Sequence, residues 1–230
     1  MSIETYRQAI EERGFYQTEA VLDRDRVAAL REAARSALSC GQGKTYGMRR
    51  FLEIVPAARE LCFLPSIRAL VEPIIGADYR PVLSLFFDKN KQANWKVSWH
   101  QDLTIAVRER IDTPGFSSWS LKDKVTHVQP PTKVIENMLT LRIHLDDTDA
   151  DNGALRVIPG THSRGRLSVE KIRVLKEQPV TCCVPSGGIL AMRPLLVHSS
   201  QKSRNPLHRR IIQIEFAAEP LSNGLEWYGA

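Results

Sequence analysis

Met138-Leu139-Thr140-Leu141-Arg142-Ile143-His144-Leu145 is the stretch on which the fold class turns. In an extended chain successive side chains point to opposite faces. Leu139, Leu141, Ile143 and Leu145 therefore share one face, and Thr140, Arg142 and His144 share the other. A period of two over eight residues predicts a strand with one face on an apolar core. Its other face carries a guanidinium and an imidazole, groups that are costly to bury without partners. Similar texture recurs at Pro81–Phe87, Gly188–Met192, Leu195–Ser199 and Arg209–Ala217. In the last of these, Arg209, Gln213 and Glu215 share one face, and Arg210, Ile212, Ile214 and Phe216 the other.

The first third reads differently. Ile3–Arg13 is amphipathic and ends at Gly14. Asp23 can cap a helix to about Leu38, with Val27, Leu30, Ala33, Ala34 and Leu38 at helical spacing. Another helix is predicted over Ser66–Ile75, between Pro65 and Gly76. Helices first and strands after predict an α+β, mainly β fold, with the helices packed on one sheet of a sandwich or jelly roll. The reading is one domain over residues 1–230, with a helical part to about 78 and a β core over about 79–220. The segment Leu103–Lys133 holds Pro114, Gly115, Pro130 and Pro131 and reads as a long functional loop or lid.

Composition excludes several classes. The 230 residues are 43% hydrophobic and 25% charged, as in ordinary globular proteins. No apolar run reaches the roughly 20 residues of a bilayer span, and Met1–Ala20 lacks a signal-peptide pattern. The expected location is cytoplasmic. Cys40, Cys62, Cys182 and Cys183 have no metal-finger spacing and read as reduced structural thiols. The net charge is +6. The basic residues are scattered and no nucleic-acid signature appears, which argues against a nucleic-acid partner. The charge instead suits a small, anionic substrate.

Trp99-His100-Gln101-Asp102 is the sharpest local feature. Residues two apart share a face, so His100 and Asp102 can offer an imidazole and a carboxylate to one ion. His198 ends the β-like Leu195–Ser199 segment and supplies a second imidazole. Two histidines and one carboxylate leave positions open on Fe(II), as in non-haem oxygenases. A 2-oxo acid fills two of those positions and O2 the third. The distal carboxylate of 2-oxoglutarate then needs a cation, and a guanidinium suits it through two hydrogen bonds. Arg209 faces the expected interior, and Ser200 shares a face with His198 and can join it.

Taken together these segments resemble the phytanoyl-CoA dioxygenase family over about Phe15–Ala217. Trp99-His100-Gln101-Asp102 is similar to the family's first metal motif. Asp146-Asp147 through Asn152-Gly153-Ala154-Leu155-Arg156-Val157-Ile158-Pro159-Gly160-Thr161-His162 is similar to its turn-and-strand signature. His198, Ser200 and Arg209 fall where the family places its second histidine, a co-substrate hydroxyl and the co-substrate arginine. The resemblance implies a double-stranded β-helix, Fe(II), 2-oxoglutarate and O2, with release of succinate and CO2. It implies hydroxylation or another oxidation, because halogenating relatives need a small residue where Asp102 stands. It leaves the substrate open.

Secondary candidates surround this set. Arg142 is read as binding a carboxylate of the co-substrate or an anionic substrate, or else as an internal salt bridge with Asp88 or Glu215. His144 and His162 read as structural anchors. Trp119, in the long loop, is placed with Trp95 and Trp99 near the metal motif, one of the three to cover the co-substrate or wall the substrate pocket. Lys89, Arg49 and Arg50 are placed at the cavity or its entrance. Two other classes compete: a cupin-like protein holding zinc or manganese without 2-oxoglutarate chemistry, and a non-enzymatic binding protein on the same scaffold.

Overall fold

The computed structural model describes residues 2–41, 47–205 and 207–229. Helix α1 (Ile3–Glu12) starts at Ser2, whose hydroxyl accepts from the Thr5 amide. Helix α2 (Arg24–Ser39) starts at Asp23, whose carboxylate accepts from the Arg26 amide at 2.7 Å. Both are N-caps of the kind that satisfy the open amides of a first turn. Helix α3 (Phe51–Ile54), a 3-10 stretch (Pro56–Phe63) and α4 (Pro65–Ile75) follow. Prolines open the last two, where a missing amide proton costs nothing.

The strands form three antiparallel sheets. The large sheet has six: β1 (Phe15–Gln17), β2 (Gly47–Arg49), β3 (Arg80–Asn90), β8 (Leu139–His144), β11 (Ile189–Met192) and β13 (His208–Ala217), in the order β1-β11-β8-β13-β3-β2. The small sheet runs β10-β9-β12-β4, from Val180–Cys182, Leu155–Val157, His198–Ser200 and Val97–His100. β5 (Ile105–Val107), β6 (Ser117–Lys122) and β7 (Val125–Gln129) make a third sheet, ordered β5-β7-β6. This is the expected jelly-roll, cupin-like architecture with N-terminal helices on one sheet.

The alternation in β8 and β13 sets the layers. Leu139, Leu141, Ile143, Ile212, Ile214 and Phe216 are fully buried and pack with Tyr6, Ile10, Leu30 and Leu70 of the helices. Each such side chain contributes about 1.5–3 kcal/mol of burial. On the opposite face, Phe15, Leu190 and Met192 of the large sheet pack with Leu155, Val157 and Cys182 of the small one. That apolar plug closes one end of the sandwich; the other end is a polar cavity.

Two expectations are corrected. Leu195–Val197 is a buried turn, and the strand begins only at His198. Residues 103–133 are no plain loop. They hold β5, β6, β7 and the short α5 (Thr132–Glu136), and Ile105, Val107 and Val128 pack with Val82, Leu195 and Trp227. A third sheet thus covers the mouth of the sandwich. Helix α6 (Val169–Arg173) lies in the β9–β10 connection.

Candidate metal centre and active site

β4 and β12 are neighbours, and their ladder sets His100 directly opposite His198. Asp102 lies just beyond β4, where its amide donates to the Pro194 carbonyl at 3.0 Å. Gln101 points away and locks the turn, donating to the Leu195 and Gly165 carbonyls and accepting from the Leu167 amide. The three side chains converge. His100 Nε2 is 3.7 Å from one Asp102 oxygen and His198 Nε2 is 3.8 Å from the other. All three candidate ligand atoms lie within 4.8 Å of one another.

Each imidazole is oriented by its own strand. His100 Nδ1 donates to the Ser98 carbonyl and His198 Nδ1 to the Leu196 carbonyl, both at 2.8 Å. Those bonds select the tautomer that leaves both Nε2 lone pairs free for a metal. Burial holds the His198 imidazolium down to about 4, against the opposing pull of the Asp102 carboxylate. A neutral imidazole is the form that ligates. Two imidazoles and one carboxylate on one side of an ion suit Fe(II) with open positions.

The facing wall is cationic. Arg209 on β13 is 3% exposed, and its Nε and Nη1 have no hydrogen-bond partner. Burial, reinforced by Arg142, pushes its guanidinium down to about 9. Lys89 on β3 is opposite Arg209 in the ladder and equally buried. Its ammonium donates to Ser200 Oγ at 2.8 Å and to the Gln201 carbonyl at 2.6 Å. Among the described residues no carboxylate lies within ion-pair distance of either cation. Buried charges normally have such partners. An orphaned guanidinium beside a lysine and a serine is a site shaped for a carboxylate brought in from outside, as 2-oxoglutarate would bring.

Arg142 also faces the cavity and is buried. The internal salt bridge considered for it does not form. Gln213 is its ladder partner and takes the hydrogen bond from Nη1, while Nε is left without a partner. Asp88 is engaged by His208 at 2.9 Å and Asn90 at 3.1 Å. Glu215 accepts from Gln213 at 3.2 Å, and burial together with the charge of Asp102 pushes its carboxyl up to about 8. The cavity between the sheets measures about 230 Å³ and opens to solvent beside His100 and Asp102. Leu83, Leu85, Phe87 and Leu155 form its apolar side.

The phytanoyl-CoA dioxygenase (PhyH) profile matches residues 10–211. The chain belongs to the phytanoyl-CoA dioxygenase family. Solved structures with the same fold include the non-heme alpha ketoglutarate dependent carbocyclase SnoK from nogalamycin biosynthesis, at 18% identity and TM-score 0.73 over 94% of this chain and 83% of that one. EctD from S. alaskensis with 2-oxoglutarate and 5-hydroxyectoine gives 20% identity and TM-score 0.74 over 100% and 80%. The epimerase SnoN in complex with Fe3+, alpha ketoglutarate and nogalamycin RO gives 18% and 0.69 over 94% and 83%. None of the curated protein sequences matches the chain.

His100, Asp102, His198, Ser200, Arg209 and Arg142 line one cavity. Trp119 does not join them. It packs with the cluster around Ile105 and Trp227, with Arg110 stacked over its ring. The cavity's tryptophan is Trp95. His144 is an interior anchor, hydrogen-bonded to Thr148 at 2.7 Å, and His162 ties its loop to the Glu11 carbonyl. Thr104, Lys122 and His127 line the cavity unforeseen, because the third sheet that brings them there was read as a loop.

Proposed function

We propose that the protein is an Fe(II)- and 2-oxoglutarate-dependent dioxygenase that hydroxylates an unactivated C–H bond of a small organic substrate, releasing succinate and CO2. One observation carries this reading: a His-Asp-His triad faces a buried arginine whose Nε and Nη1 have nothing to bond. When bound, iron with 2-oxoglutarate and O2 supplies the oxidising power for the C–H bond.

The chain's own residues have separable tasks. His100, Asp102 and His198 hold the ion through atoms already oriented for it. Arg209 and Lys89, with Ser200 between them and the triad, take the far carboxylate. Arg142, fixed by Gln213, keeps the cavity positive toward a dianion. Leu83, Leu85, Phe87 and Leu155 exclude water and so strengthen each of these contacts. A metal-holding cupin without 2-oxoglutarate, or a binding protein with no chemistry, has no task for Arg209, whose Nε and Nη1 are unbonded. SnoK and SnoN are a carbocyclase and an epimerase; ring closure or epimerisation is the alternative outcome for this site.

Calorimetry with Mn(II) standing in for iron tests the proposal without turnover. The expected result is 1:1 binding of 2-oxoglutarate that requires the metal and is lost in Asp102→Ala. Metal binding with no 2-oxoglutarate binding would favour the cupin reading.

A further inference from the structure

The cavity beside the triad, about 230 Å³, is the one that holds His100, Asp102, His198 and Arg209. A co-substrate seated between the triad and Arg209 takes up part of it, which points to the space next to it for the substrate's bulk.

A second, larger hollow of about 730 Å³ adjoins the first. Arg49, Leu85, Phe87 and Trp95 line both, so the two meet along these four side chains. Among the described residues Met48, Ile54 and Ala93 extend the apolar wall outward. A volume of this size is typical of sites for drug-sized molecules. The acids and bases around it are unevenly matched. Arg50 is turned aside by a left-handed backbone (φ 59°) and meets Glu53 at 3.8 Å. Asp123 and Lys124, both at positive φ, form the two-residue turn between β6 and β7. That turn sets Lys122 on the inner cavity and Lys124 on the outer hollow. Neither lysine has a carboxylate within ion-pair distance among the described residues. Arg49 stands at the junction, and among the described residues its ion-pair partner is Asp123, at 3.3 Å and 62% exposed. A partner that open to water holds an arginine weakly and is displaced by a better-buried carboxylate.

We infer that the outer hollow is the substrate's seat and that it takes a carboxylic acid with a bulky apolar body. The body lies along Phe87, Trp95, Ile54 and Met48. The carboxylate displaces Asp123 from Arg49, which directs the carbons next to the acid toward the triad. The catalytic meaning of this seat rests on the dioxygenase reading; the binding itself does not.

The test is a fluorescence titration of the full chain, loaded with Mn(II) and 2-oxoglutarate so that Arg209 is occupied. The probes are anthracene-2-carboxylate and its neutral carboxamide. The acid is expected to bind 1:1 and roughly tenfold more tightly than the amide, the worth of a half-exposed charge-assisted contact. Arg49→Gln should abolish that preference while leaving amide binding unchanged, and Arg49→Lys should restore most of it. Asp123→Asn should tighten the acid alone by about two- to fivefold, because a competitor is gone. Ala93→Trp should weaken both probes by filling the hollow. Equal binding of acid and amide, or a preference that survives Arg49→Gln, would overturn the inference. The same titration without metal and co-substrate, run on Arg209→Met, reads the hollow even if 2-oxoglutarate fails to bind, so the two readings fail separately.

Discussion

The two faces of the β8–β13 ladder are both closed to solvent, yet they are built from opposite materials. Toward the helices stand Leu139, Leu141, Ile143, Ile212, Ile214 and Phe216, each fully buried among other apolar side chains. Toward the cavity stand Thr140, Arg142, His144, Arg209, Gln213 and Glu215, equally hidden. Atoms of Thr140, Arg142, His144 and Arg209 on that side lack any hydrogen-bond partner. The first face makes the fold stable. The second spends stability to hold charge where water cannot neutralise it, as a preorganised binding site requires. One strand pair thus separates folding from function by parity of residue number.

That separation can be broken in order of expected effect. Ile214→Ala opens a cavity on the helix face and should cost about 2–5 kcal/mol of stability, read by denaturant unfolding. The metal-dependent affinity for 2-oxoglutarate of the remaining folded protein should not change. Arg209→Met should do the reverse. It removes a charge-assisted contact and should weaken 2-oxoglutarate by roughly 10- to 100-fold. It also removes an unpaired buried charge, and Tm should rise by about 2–4 °C. A fall in Tm would mean that Arg209 is structural.

Lys89 sharpens the comparison through pH. Burial, then Arg209 and Arg142, push its ammonium down to about 7. Its folded value lies below its unfolded one, so between about pH 7 and 10.5 the folded chain binds fewer protons than the unfolded chain. The co-substrate-free protein therefore gains stability as pH rises through that window and loses it as pH falls back toward 7. A bound dicarboxylate draws the proton onto Lys89, so 2-oxoglutarate should bind best below about pH 7 and more weakly above it. Lys89→Met should flatten that profile and weaken binding about tenfold at the acidic end. A slope that persists in Lys89→Met would assign it to another group. The smallest effect is expected at Trp119→Phe, which should leave 2-oxoglutarate affinity within about twofold, because the ring lies outside the cavity.

The parity of β8 and β13 was legible because a period of two is a local property of the chain. So were the Asp23 cap and the His100–Asp102 spacing. What stayed hidden depends on which strand lies beside which. Lys89 follows an apolar run and looks like the end of a strand; only the ladder sets it opposite Arg209 and within reach of Ser200. The partner of Arg142 is likewise set by the ladder, where Gln213 is its neighbour and Glu215 faces Thr140. The third sheet was missed because β6, Ser117-Ser118-Trp119-Ser120-Leu121-Lys122, is largely exposed and shows little apolar alternation. That sheet takes Trp119 into the cluster around Ile105 and Trp227 and brings Lys122 and His127 to the cavity.

In the proposed co-substrate site the triad and the orphaned arginine hold opposite ends of one molecule. Adding Fe(II) and 2-oxoglutarate without oxygen and recording the weak visible charge-transfer band of the chelate probes both ends at once. The expected result is a band in the wild-type protein, none in His198→Ala, and in Arg209→Met a band that appears only at much higher 2-oxoglutarate. Absence of the band in wild type at saturating iron and co-substrate would contradict that assignment.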